Sequence, residues 1–377
     1  MVMDTPRDAT GGGPLSKGRA AGTPVAHCGG HDGGMPRTDP IPAATLRVRP
    51  PAASTRAVTA VALGCALLAV GWLLPGPVGA AMRGATAAAQ TTTESAMTWW
   101  KAATLGAVEG LTEYIPVSST GHLLVVSRLL GLGDTEADQA AANTYAIAIQ
   151  FGAIVAVAGL FWRRFRDMVL GLFGRSGPGR HLLVVTVIAF VPAAAVGFLF
   201  DDTIEERLFG PWPIVAAWVA GGLLILGLEY FGLIPHAGEK RTPDHDPVLD
   251  ITYRQALVVG VAQIAALWPG TSRSLATILG ALLAGVGMAA AVEFSFILGF
   301  VTLTAASLYS LASDGGDLVD QFGLLDPLVG LVFAFLAAVV AIKWMIRYLE
   351  THSLAIFGWY RLVVAAIAVA LIAGDVI

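Results

Sequence analysis

Charge is what this chain has least of. Only 13% of its 377 residues are Asp, Glu, Lys or Arg, about half the share in a soluble domain. Apolar residues make up 55%, and the mean hydropathy is +0.70. That balance excludes an ordinary soluble domain and marks an integral membrane protein. Cysteine is nearly absent. Cys28 and Cys65 both precede the region that carries the chemistry, so neither a disulfide framework nor a Cys–His metal cluster can be built. The net charge of −4 offers no basic field, and no nucleic-acid partner is expected.

The N-terminal stretch also lacks hydrophobic periodicity. Residues 1–56, rich in Gly, Pro, Arg and Thr, cannot bury enough apolar surface to offset ordering entropy and read as a disordered leader. Residues 57–74 (AVTAVALGCALLAVGWLL) form an uninterrupted apolar run. The run is long for a signal-peptide core and its leader is far too long, so 57–96 reads as a signal anchor and linker. The alternative is a start at Met97. It would leave 377 − 97 + 1 = 281 residues, and the domain 97–377 keeps every motif discussed below.

Beyond Met97 the apolar segments come quickly. About six spanning helices are predicted, near 143–162, 181–200, 211–234, 290–312, 326–349 and 354–375, each close to the ~20 residues that cross ~30 Å of hydrocarbon. Two more apolar stretches, 98–131 and 255–287, are interrupted by the polar clusters PVSSTGH (116–122) and PGTSRS (269–274). Neither half of either stretch is long enough to span, so each is expected to be a re-entrant helical hairpin, tolerated only where protein or water surrounds it. Arg163, Arg164, Arg166, Lys240, Arg241, Arg254, Lys343 and Arg347 fall in alternate loops, while 201–206 and 314–320 are acidic. The positive-inside rule places the basic loops in the cytoplasm and the acidic ones outside.

A shift of 154 positions superposes the two broken stretches without a gap. Gly106 falls on Gly260, Glu109 on Gln263, Ser118 on Ser272, Thr120 on Ser274 and Gly131 on Gly285. Entering from opposite faces, the copies form an inverted-topology repeat, an architecture that puts broken segments back to back near the midplane, where substrate sites form. The fold class expected is thus all-α and membrane-integral.

Chemistry concentrates in the two polar clusters. Glu109 and Glu113 stand one helical turn apart among Leu105, Val108, Leu111 and Ile115. Burying a carboxylate at membrane depth costs about 2.5–3.5 kcal/mol even on mild scales, so a divalent cation, a shared proton or an Arg must compensate. Ser118, Ser119 and Thr120 crowd hydroxyls into one turn, and His122 is the residue type that activates a hydroxyl near neutral pH. Of the two serines, Ser119 is the favoured nucleophile because His122 lies three residues beyond it. In the second copy Arg273 takes the place of Ser119, with Ser272, Ser274 and Thr277 beside it. A guanidinium here needs an anion: phosphate, an internal partner among the glutamates, or each in turn. Together these are parts for phosphoryl transfer. A polyprenyl-phosphate transporter or flippase, which could use the same inverted repeat, is the rival; it would have no need of the serine–histidine cluster.

The runs GAVEGLTEYIPVSSTGHLLVV (106–126) and ALWPGTSRSLAT (266–277) resemble the two signature motifs of the undecaprenyl-diphosphate phosphatase, or bacitracin-resistance, family. The likeness continues through FWRR (161–164), DDTI (201–204), TYRQA (252–256), EFSF (293–296) and YR (360–361), and covers about 97–377. It implies hydrolysis of a polyprenyl diphosphate, undecaprenyl diphosphate, to the monophosphate. It implies catalytic roles for Glu109, Glu113, Ser118, Ser119, His122 and Arg273, and phosphate binding by Thr120, Ser272, Arg273, Ser274 and Thr277. It also implies a divalent cation (Mg2+ or Ca2+) on Glu109 and Glu113, and a multi-pass protein of the bacterial inner membrane whose site opens to the extracytoplasmic side. A homodimer is left open. Thr271 and Leu275 depart from the family pattern, which has an aromatic and a Gly there, and 297–300 lacks the nearby Pro.

Overall fold

In the computed structural model the described residues are 97–132, 136–234, 246–322, 325–374 and 376. The leader and the 57–74 anchor expected from sequence lie outside them. Every regular element among the described residues is helical. Two short helices, α1 (Trp99–Thr112) and α2 (Ser119–Leu129), are followed by α3 (Glu136–Leu160), α4 (Trp162–Leu172), α5 (Gly177–Leu208) and α6 (Pro211–Tyr230). The second half repeats the scheme with α7 (Tyr253–Gln263), α8 (Arg273–Leu283), α9 (Met288–Phe322), α10 (Leu325–Leu349) and α11 (Ala355–Ala373).

Among the described residues five helices are long and apolar enough to cross a membrane: within α5, α6, within α9, α10 and α11. The bent pair of Thr144–Leu160 with α4, which meet at 80°, makes six when counted as one broken span. The chain is therefore a multi-pass membrane protein, with five or six spans where the sequence predicts about six. Two details differ. The first predicted span breaks at Phe161, and the amphipathic Trp162–Leu172, with three Arg on it, turns aside. The acidic stretches 201–206 and 314–320 are not loops. The first extends α5 beyond a kink at Phe200, and the second lies within α9. Charge marks where a helix leaves the apolar layer, and it need not end the helix there.

α1 and α2, like α7 and α8, form helix–turn–helix hairpins. An 11-residue helix is only ~16 Å long, half of what a span needs. The 154-residue shift holds at the level of the backbone. Ser118 and Ser272 both sit at φ 75° ahead of their second helices. Both hairpins then end on a left-handed glycine, Gly131 at φ 66° and Gly285 at φ 82°. The closing hydrogen bonds also match: Leu132 N–H donates to Ser127 O at 2.8 Å, and Val286 N–H to Ala281 O at 2.9 Å. Gly106 and Gly260 each lie where a side chain would collide with the backbone of a neighbouring helix, at Gly330 and Ala189 respectively.

That packing crosses between halves. α1 lies along α10, whereas α7 lies along α5, so each hairpin leans on a long helix of the other repeat. α6 pairs with α11. Two motifs from the sequence meet away from the hairpin turns: Arg164 donates to Glu293 at 2.7 Å and pairs with Asp246 at 2.6 Å, tying α4 to α9 and to the segment before α7.

Candidate active site

The two polar turns, far apart in sequence, touch. Arg273 Nη2 donates to Glu113 Oε1 at 3.0 Å, and Ser274 Oγ donates to the Ile115 carbonyl at 3.1 Å. Glu109, Glu113, Ser118, Ser119, Ser272, Ser274 and Thr277 are all buried. The internal ion pair anticipated for Arg273 thus forms, with Glu113. It leaves the Arg273 side chain 22% exposed, so the guanidinium is still reachable.

Ser119 is the first residue of α2, and its hydroxyl donates to Glu113 Oε2. The carboxylate of Glu113 therefore holds the hydroxyl on one oxygen and the guanidinium on the other. This corrects the pairing expected from sequence. Both ring nitrogens of His122 are engaged elsewhere, Nδ1 with the Ser118 carbonyl at 2.6 Å and Nε2 with the Tyr360 hydroxyl at 2.8 Å. The i, i+3 spacing puts His122 on the same side of α2 as Ser119. It could not reveal that Glu113, six residues back across a turn, reaches the hydroxyl first.

The equivalent serines differ in a telling way. Ser272 Oγ accepts the Leu275 N–H at 3.3 Å and caps α8, and it also lies 2.9 Å from Ser274 Oγ. Ser118 makes no such cap on α2. Thr277 is spent on structure: its hydroxyl donates to the carbonyl of Arg273 at 2.9 Å and lies 2.7 Å from Ser295 Oγ. Thr120 is on the exposed side of the first turn of α2. Leu275 does not crowd the turn; it is 2% exposed and packs into the core with Tyr114 and Phe296.

Sequence reasoning noted Arg361 only within the YR run (360–361) and gave it no role. It is completely buried, and its guanidinium donates to five backbone carbonyls: Pro116, Ala217, Trp218, Gly270 and Thr271, at 2.8–3.4 Å. One side chain thus ties the first turn, the second turn and α6 together. Gly270, at φ 95°, has no room for a side chain against the backbone of Ile214. Trp218 adds a further tie from α6 by donating Nε1–H to the Val117 carbonyl at 2.9 Å. A buried Arg in α11 with no acidic neighbour in the sequence was the available signal.

The matching family model is described as "Bacitracin resistance protein BacA" and covers residues 102–367. The chain belongs to the BacA family. Among curated relatives it is similar to undecaprenyl-diphosphatase of Sorangium cellulosum, 42% identical over 274 residues, which are 72% of this chain and 85% of that protein. Undecaprenyl-diphosphatase 1 of Chromobacterium violaceum is 44% identical over 259 residues, 68% of this chain and 90% of that protein. The matched region takes in both turns, the whole second hairpin, and the first hairpin from Ala102 onward.

Proposed function

We propose that this chain hydrolyses undecaprenyl diphosphate to undecaprenyl phosphate and inorganic phosphate, and so confers bacitracin resistance. The observation that carries the reading is Glu113 bridging Ser119 and Arg273: a buried base, a hydroxyl and a phosphate-binding cation in one contact chain. As diphosphate enters, its terminal phosphate takes Arg273 and the uncapped N–H groups of α2. Glu113 accepts the Ser119 proton while Oγ attacks the terminal phosphorus. The Oγ–P bond forms, the bridging P–O bond breaks, and undecaprenyl phosphate leaves. Water then opens the phosphoserine, releasing inorganic phosphate as Oγ recovers its proton from Glu113.

A divalent cation, Mg2+ or Ca2+, fits the residues present. Glu109 Oε1 is buried without a hydrogen-bond partner, next to Glu113 on the same face of α1. Among the described residues no three His, Cys, Asp or Glu side chains form a ready cage. One or two carboxylates completed by substrate phosphates is the usual Mg2+ arrangement, and Glu109 with Glu113 supplies the protein's share. The cation would neutralise charge on the diphosphate.

The membrane is the bacterial inner membrane in this reading, and the site opens to the extracytoplasmic side. Cysteines introduced at Asp202 and Asp317 should react with an impermeant thiol reagent in intact cells, and one at Arg164 should not; the reverse pattern turns the protein over. The activity itself is tested by phosphate release from a polyprenyl diphosphate by detergent-solubilised protein, where no gradient can drive transport. Release that requires Ser119 and divalent cation supports the hydrolase, whereas gradient-dependent lipid movement without release supports a transporter.

A further inference from the structure

His122 is held on several sides. Its Nδ1 meets the Ser118 carbonyl at 2.6 Å, and a carbonyl can only accept, so Nδ1 carries a proton. In the neutral ring Nε2 is then the basic nitrogen, and it accepts from the Tyr360 hydroxyl at 2.8 Å. The two rings are stacked, 5.7 Å between centroids and 12° apart, while Trp218 meets the imidazole edge-on at 5.2 Å. Ser119 already donates to Glu113. The basic nitrogen of His122 therefore sits at Tyr360, which is 41% exposed, and not on the buried Ser119 at 7%.

We propose that Tyr360 is a positioning residue of the site: the Ser118 carbonyl fixes the tautomer of His122, while the Tyr360 hydroxyl and ring fix its plane and hold Nε2 as the proton acceptor for the attacking water. The division of labour follows. Glu113 takes the proton of the serine, and His122 takes the proton of the water that opens the phosphoserine. In that step the water O–P bond forms, the P–Oγ bond breaks, and the water proton goes to Nε2 as the Tyr360 hydroxyl swings aside. Arg361, next in the chain, is the charged group nearest this pair on α11, and its donors are all committed to carbonyls. The neighbours on the other elements, Trp218 on α6 and Ser118 ahead of α2, carry no charge.

The inference rests on the phosphatase reading for the step, but its geometry is testable without turnover. Tyr360→Phe keeps the stacked ring and removes only the hydroxyl. Nitrogen NMR of the His122 imidazole, assigned by difference against His122→Gln, should show the Nδ1–H tautomer in both proteins, with the Nε2 resonance shifted in Tyr360→Phe by loss of the hydroxyl's hydrogen bond. In phosphate release, Tyr360→Phe should lower kcat about tenfold with KM unchanged, less than the roughly 10²-fold expected for His122→Gln. The double variant should be no slower than His122→Gln alone, because the hydroxyl acts through the imidazole. An Nε2 resonance that does not move in Tyr360→Phe overturns the proposal even if the enzyme turns over. So does an additive loss in the double variant, which is what a merely structural tyrosine produces. An Nε2 resonance that moves in Tyr360→Phe, in a protein whose wild type releases no phosphate, leaves the geometry standing and sinks the phosphatase reading instead.

Discussion

The two hairpin turns share one backbone and differ in almost everything chemical. Both place a serine at φ 75° before a short helix and end that helix on a left-handed glycine. Yet where the first has Glu109 and Ser119, the second has Gln263 and Arg273, at identical offsets. The backbone is what a membrane-buried turn requires, since its freed N–H groups must find partners inside the protein. The side chains are where the two copies differ. Opposite charges on the two copies also offset a cost that either would carry alone: Glu113 and Arg273 compensate each other. The two copies thus share a backbone, and their side chains diverge, acidic in the first and cationic in the second.

The comparison can be broken most severely at Ser119. Ser119→Ala should lower kcat for phosphate release by about 10³-fold or more while diphosphate binding persists. Substantial turnover would transfer the nucleophile to Ser272 or to water. Next comes the cationic partner. Arg273→Lys keeps the charge but loses the planar fork that serves Glu113 and phosphate together, and about 10²-fold in kcat is expected. If it retains full activity, the second turn does not bind the reacting phosphate as described here.

Making the halves more alike should harm the fold before the chemistry. Gln263 is 1% exposed, its amide reaches Thr302 at 3.4 Å, and the structure gives it no cation like Arg273. Gln263→Glu should therefore cost about 2.5–3.5 kcal/mol, read as a lower Tm in detergent, whereas Glu109→Gln should be tolerated and weaken activation by divalent cation. The smallest effect is expected at the shared serines. Ser118→Gly relieves a left-handed φ and removes no helix cap, so stability should hold or rise slightly; Ser272→Gly loses the Leu275 cap and should be the less stable of the two. Equal Tm values for both would mean the cap contributes nothing.

Much of this was legible in the sequence. Hydrophobic run length located the spans, because a helix must cover a fixed thickness of hydrocarbon. Runs broken by Pro, Gly and Ser marked the hairpins, and the ungapped shift paired Ser118 with Ser272 before any coordinates. The buried glutamates, the serines and Arg273 were likewise readable, because polar residues in apolar runs must be compensated. Local spacing misled at one point. It joined Ser119 to His122 along α2, when the partner of the hydroxyl came from the far side of the turn.

What the sequence by itself determined was the membrane class, the helical content, the repeat and the polar side chains set within apolar runs, all of which follow from hydropathy and residue type along the chain. Which of those side chains touch was decided only by tertiary structure. Glu113 lies 160 residues from Arg273, Tyr360 lies 238 from His122, and Arg361 joins Pro116 to Gly270 across 245 and 91 residues. Partners so far apart meet because α1 packs on α10, α7 on α5 and α11 on α6, and no local periodicity encodes which helix will be the neighbour.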